Sequence, residues 1–253
     1  MTGPDNNASN DREQPLIEHL VELRSRLLRS LLAVLAVFLA LAPFSRPLYS
    51  AIASPLIDRL PANASMIATE VASPFLVPFK LTIYIAVFVA MPYILYQAWA
   101  FVAPALYKNE KRVAYPLLLS SIVLFYAGIA FAFFLVFPLL FRFFTSVAPA
   151  GVTVMTDISH YLDFILKMFF AFGLAFEIPI ATILMVSAGI VSVESLAGKR
   201  PYIIVAAFVV GMLLTPPDVM SQVMLAVPIL ALFELGLFFS RRFAPKEDEE
   251  NKE

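Results

Sequence analysis

The chain reads as an all-α polytopic membrane protein of six transmembrane helices, with both termini cytoplasmic and the last two spans short. Three observations predict this. Hydrophobic residues fill 60% of the 253 positions and charged residues only 15%, against roughly 45–50% and about 25% in soluble domains. Several apolar stretches run about eighteen residues or longer with at most one or two charges, enough to cross a hydrocarbon core. The cations, finally, alternate unevenly between loops, so that six crossings gather most of them on one side. The net charge of −1 says little beside that distribution. With no cysteine, disulfides and thiolate metal sites are excluded.

Residues 15–29, PLIEHLVELRSRLLR, predict an amphipathic helix with proline in its first turn. Leu16, Leu20, Leu23 and Leu27 follow helical spacing, while Glu18, Glu22, Arg26 and Arg29 share the opposite face. Glu22 and Arg26 also suit an i,i+4 pair. This helix runs into the first span, about 27–43, so its start is expected along the cytoplasmic interface. The polar residues before it lack the apolar core of a cleavable signal sequence, which makes a bacterial cytoplasmic membrane the simplest address. Residues 44–77, with Pro47, Pro55, Pro61 and Pro74, form the longest extramembrane segment. Its short apolar pieces, such as 48–57, cap the far side.

The second span covers about 78–103. The third, about 113–141, and the fourth, about 161–190, are each near thirty residues and reach roughly 45 Å, so they must tilt, bend or protrude. Pro92, Pro138 and Pro179 favour kinks within these spans. The fifth span, about 201–215, reaches only roughly 22 Å against a core of about 30 Å. A TPPD turn leads to the sixth, about 219–239, which Gln222, Pro228 and Glu234 interrupt. One membrane domain follows: a cytoplasmic amphipathic segment (1–26), a six-span bundle (27–239) and a charged tail (240–253) read as disordered. In that arrangement thirteen Lys and Arg fall on the side of the termini, against Arg46, Arg59 and Arg142 on the other. The positive-inside rule makes the larger group cytoplasmic.

Between the second and third spans lies a charged island, residues 97–116, QAWAFVAPALYKNEKRVAYP. Lys108, Lys111 and Arg112 surround one carboxylate, Glu110, and Trp99, Phe101, Tyr107 and Tyr115 flank them as rings do at a membrane boundary. Further motifs accompany it: LIEHLVELRSRLL at 16–28, MIATEVASPF at 66–75, ILYQAWAFVAPALYKNEKR at 94–112, FGLAFEIP at 172–179, KRPY at 199–202 and GMLLTPPDVMSQ at 211–222. With these in order, the chain resembles the TatC family, receptor subunits of the twin-arginine protein translocase, over nearly its whole length.

The resemblance implies a receptor and no enzyme. Members bind signal peptides bearing two adjacent arginines. In a multimeric membrane complex with single-span TatA- and TatB-type partners, they carry folded proteins across the lipid bilayer on the proton motive force. It implies no cofactor, metal or nucleic acid; in agreement, Gly198-Lys199-Arg200 lacks the spaced glycine and Ser/Thr of a phosphate loop.

By the same resemblance the signal-peptide site matches Glu22 and Glu110, with Arg24 and Phe101 at positions tied to recognition or assembly. The chemistry suits it, because guanidinium forks are held bidentately by carboxylates. Plainer readings stay open: Glu110 paired with Lys111 or Arg112, Glu22 with Arg26, and Phe101 as an interfacial anchor. Inside the membrane an ionisable group is a functional candidate by default, and Glu177, mid-span, is the strongest; the resemblance sets it on a concave polar face. Lys80, Lys167 and Glu234 lie nearer span ends and can snorkel. Met212, Thr215 and Gln222 fall where the family docks partner helices, though ordinary packing accounts for them too. Asp218 matches a family aspartate in the turn, with capping of the last helix as its plainer reading.

The rival reading is a secondary transporter, whose binding sites use broken or short helices in two corresponding halves. Here the short pair occurs once. An intramembrane enzyme has still less support: HExxH and GxSxG are missing, and His19 and His160 are not at metal-ligand spacing.

Overall fold

The computed structural model describes residues 7–57, 65–106, 111–147, 155–214 and 219–242. Helix α1 (Asn7–Leu41) begins eight residues before Pro15, where the sequence placed its start, so the proline lies inside the helix. Residues ahead of it, including Ala8, Arg12, Glu13 and Gln14, are good helix formers. At Ala42–Phe44 the chain tightens into a 3-10 turn around Pro43 before α2 (Ser45–Ile57). A proline there removes an amide that a continuing α-helix would use.

The second span is α3 (Ser73–Leu106), which starts five residues earlier than expected because Ser73-Pro74 opens it, proline being suited to a first helical turn. The third is broken: α4 (Lys111–Phe131) passes through a π-turn at Ala132–Val136 into α5 (Phe137–Val147). Pro138 cannot donate to the carbonyl four residues back, and the wider turn absorbs that loss. The fourth is broken likewise. Helix α6 (Ile158–Ala175) ends in a turn at Phe176 and Glu177, and α7 (Ile178–Ser187) restarts with Pro179 in its first turn.

Gly189, at φ 68°, closes α7. Its amide bonds Val186 O at 3.0 Å and that of Ile190 bonds Met185 O at 3.1 Å, the paired bonds of a left-handed helix end. A short helix, α8 (Val193–Gly198), is capped by Ser192; α9 (Arg200–Leu214) and α10 (Val219–Ser240) complete the chain. Among the described residues, five helical stretches are long and apolar enough to cross a membrane: His19–Ala51, Ser73–Phe101, Tyr115–Phe143, Ile158–Ser187 and Val219–Ser240; α9 is apolar but shorter.

Helix α1 packs on α3, α4 on α6, and α10 on both α7 and α9. The main core joins Leu81, Val136, Phe137, Leu140, Ile165, Phe172 and Leu225 from α3, the third and fourth spans and α10. Outside it, α1 leaves Leu27, Leu31, Leu35 and Leu39 exposed, as a helix bathed in lipid does. Where α4 crosses α6, Gly128 lies against the backbone of Phe172. Such small residues are what lets two membrane helices meet closely.

One feature departs from an all-α reading. Two three-residue strands, β1 (Ser65–Ile67) and β2 (Met155–Asp157), pair in parallel with Ile67 opposite Asp157. Segments this short carry no periodicity to read. Asp157 ties the two loops together. Its carboxylate accepts the Thr69 hydroxyl at 2.6 Å and amide at 2.9 Å, while capping α6 through Ser159 N at 2.8 Å and His160 N at 3.2 Å. Next to it, the hydroxyls of Ser73 and Ser159 share a bond of 2.8 Å.

The Thr69 hydroxyl, foremost among these donors, holds the Asp157 carboxyl well below the usual carboxylate range. A depressed folded-state value means that the stabilisation is fully present above about pH 4 and is lost as the pH falls through that lower value. Asp157→Asn is therefore expected to melt below wild type at neutral pH, with the gap narrowing on acidification below about pH 4. Thermal unfolding in detergent across pH measures it, and a gap that widens in acid would refute the assignment.

Candidate functional site

Two polar places stand out in an otherwise apolar bundle. The first is the junction of α1 with the last turns of α3. Arg26 reaches back one turn to Glu22, its Nε and Nη2 both donating to Oε1 at 2.9 and 2.5 Å. Its remaining Nη1 donates across to Gln97 Oε1 on α3 at 3.3 Å. One guanidinium fork thus fastens both helices, as its rigid donor geometry allows. Two turns earlier on α1, His19 stacks on Phe101 with ring centroids 4.2 Å apart and planes at 17°. These contacts run antiparallel, 19 against 101 and 26 against 97, and fix the rotation of α1 about α3.

The i,i+4 pairing that the sequence suggested for Glu22 is therefore formed. Both bonds fall on one oxygen, Oε1, and the side chain stays 39% exposed. Phe101 is half-buried under His19, more than a bare interfacial anchor, and Arg24 is exposed on α1. Glu110 lies outside the described residues; α3 ends four residues before it, at Leu106. Gln97 was not singled out from sequence, although a buried amide (5% exposed) inside an apolar run is the kind of residue the cost of polar burial flags.

The second place is Glu177. It occupies the break between α6 and α7, where Ser121 on α4 donates to Oε2 at 2.5 Å. The other oxygen, Oε1, is buried with no hydrogen-bond partner among the described residues. The helix break that Pro179 imposes thus coincides with the mid-span carboxylate.

Of the other charges read as intramembrane, Lys80 and Glu234 are paired, while Lys167 is exposed on α6. Lys80 on α3 forms an ion pair with Asp163 on α6, a partner that sequence reading passed over. Glu234 on α10 accepts Arg200 of α9 twice, at 2.5 and 2.9 Å. Met212 is exposed on α9 beside Leu213, and Gln222 is half-buried on α10 with its backbone facing Gly211. Thr215 and Asp218 lie outside the described residues. Among those residues, no group of three His, Cys, Asp or Glu could hold a metal ion.

Against known proteins, residues 18–228 match the family model described as Sec-independent protein translocase protein (TatC). The TatC protein of Haemophilus influenzae is 59% identical over 239 residues, 94% of this chain and 93% of that one. That of Escherichia coli K12 is 55% identical, covering 92% and 90%, and that of Aquifex aeolicus 38% identical, covering 94% and 99%. A crystal structure of the twin arginine translocase receptor TatC superposes with a TM-score of 0.81 at 37% identity, covering 89% of this chain and 99% of the other.

Proposed function

The chain belongs to the TatC family of Sec-independent protein translocase proteins, and from this we propose that it is the core receptor subunit of the twin-arginine translocation system. In this reading it binds the arginine pair of a folded precursor's signal peptide at its cytoplasmic face. With TatA- and TatB-type partners it then mediates export on the proton motive force, and it catalyses no reaction itself. It works as a single six-span domain of the bacterial cytoplasmic membrane, both termini inside, with α9 as the short fifth span. Glu22 and Glu110 receive the arginines, with Arg24 and Phe101 alongside. Met212, Thr215 and Gln222 meet partner helices, while Glu177, Asp218 and Lys80 supply polar groups within or beside the membrane.

One observation carries the recognition step. The bonds of Arg26 fix α1 against α3 and, at Glu22, fall on Oε1 alone, so a carboxylate is presented on a rigid helix pair. Its partner in the proposal, Glu110, follows on the chain just beyond α3. A preformed acceptor avoids much of the ordering cost of binding.

Photocrosslinking in membrane vesicles tests the reading. A precursor with adjacent arginines is expected to crosslink to this chain. One with both arginines replaced by lysine should crosslink at least about tenfold less, because lysine lacks the bidentate fork. Equal crosslinking of the two precursors would overturn it.

A further inference from the structure

At the end of α9 and α10 remote from Leu214 and Val219, four exposed cations gather. Lys199 follows α8 and Arg200 opens α9, while Arg241 and Arg242 follow the end of α10. The helices pack antiparallel, and Glu234 pins their register by taking Arg200 in a two-bonded fork. Arg241 lies seven residues beyond Glu234, two turns along the same face, and within its electrostatic reach. Glu234 is matched by Arg200, and against the exposed Glu194 on the adjoining α8 the cations Lys199, Arg241 and Arg242 still leave an excess of positive charge.

Below them the surface is apolar. Tyr202 on α9 is 75% exposed, and Leu235 and Phe238 on α10 are 49% and 60% exposed. We infer that this end of the α9–α10 pair binds the phosphate headgroup of an anionic phospholipid, with the acyl chains along Tyr202, Leu235 and Phe238. Cations at the mouth of a membrane helix pair, over uncovered apolar surface, match both parts of such a lipid. A soluble anion would use only the first. Positive loops alone follow from topology; the locked Arg200–Glu234 fork and the apolar surface beneath go beyond it.

The test uses the full chain in nonionic detergent, given equal phosphatidylglycerol and phosphatidylcholine, with retained lipids counted by native mass spectrometry. Wild type is expected to prefer phosphatidylglycerol. A Lys199→Gln/Arg241→Gln/Arg242→Gln variant should bind it at least about tenfold less, given roughly fivefold per cation before salt screening. Arg200 is left intact to preserve the helix pair. If the triple variant does not fold, Arg242→Gln alone, beyond the helix end, is expected to cost about fivefold. Unchanged retention by a folded variant, or no preference in wild type, overturns the proposal. Displacement by excess inorganic phosphate would also overturn it, by assigning the site to the free anion. Lipid binding seen only after removal of the acidic residues 247–253 would do the same, by making the tail the occupant.

Discussion

A Glu22→Ala/Glu110→Ala variant is expected to lose crosslinking to a twin-arginine precursor, while each single variant keeps a measurable part. A charge-assisted hydrogen bond contributes about 1.5–3 kcal/mol when shielded from water. Glu22 is 39% exposed at its side chain, so the lower end applies, and each single change should weaken binding about tenfold. The double change should approach a hundredfold. It would also remove the one carboxylate that the sequence sets among Lys108, Lys111 and Arg112, and like charges brought together are unfavourable. The Glu22 change should not unfold the chain, because i,i+4 pairs of this kind contribute about 0.3–0.5 kcal/mol when exposed, and the partly buried Glu22–Arg26 pair is one contact among many. Arg26 also keeps its bond to Gln97. Crosslinking at the wild-type level in the double variant would sink the two-carboxylate site and leave family membership untouched.

The spans were legible because lipid makes simple demands. Each needs a long apolar run, and prolines can interrupt it only where the backbone is resatisfied. Of the three prolines expected to kink spans, Pro138 and Pro179 accordingly mark breaks, whereas Pro92 lies within an unbroken α3. What sequence could not supply is pairing across long separations. Lys80 was read as a snorkelling residue, yet Asp163, 83 positions on, neutralises it. Thr69 and Asp157 bind across 88 positions, through loops with no periodic signal. Glu177 could be singled out by the cost of a mid-membrane charge, but not its donor Ser121, since one hydroxyl in an apolar helix is commonplace. At the proposed recognition site, the resemblance pointed to Glu22 and Phe101. Their fastening through Gln97 and His19 needed the α1–α3 contact to be seen.

Gly128→Val is expected to destabilise the bundle by about 3 kcal/mol or more, the upper end for overpacking, because the obstruction is backbone. A Cβ at Gly128 would lie 2.4 Å from Phe172 O and 2.8 Å from Phe172 C. Neither atom can rotate away as a side chain would. Across the same crossing, a Cβ at Gly173 would meet the Phe125 ring at 2.6 Å, and that ring is fully buried, so α4 and α6 have no slack in either direction. Between membrane helices the hydrophobic effect does not drive contact, which rests on close packing and polar bonds. Forcing α6 away from α4 forfeits both. Ser121 lies two turns before Gly128 on α4, and its bond to Glu177 spans the same pair of segments. The valine variant should therefore lose export of a folded twin-arginine reporter along with its stability. Gly198→Ala provides the contrast, since a Cβ there meets nothing within 4 Å and should leave the melting temperature unchanged or slightly raised. Melting of the two variants in detergent decides it: a Gly128→Val protein as stable as Gly198→Ala would mean that the α4–α6 crossing is looser than the geometry requires, and that the Ser121–Glu177 contact does not depend on it.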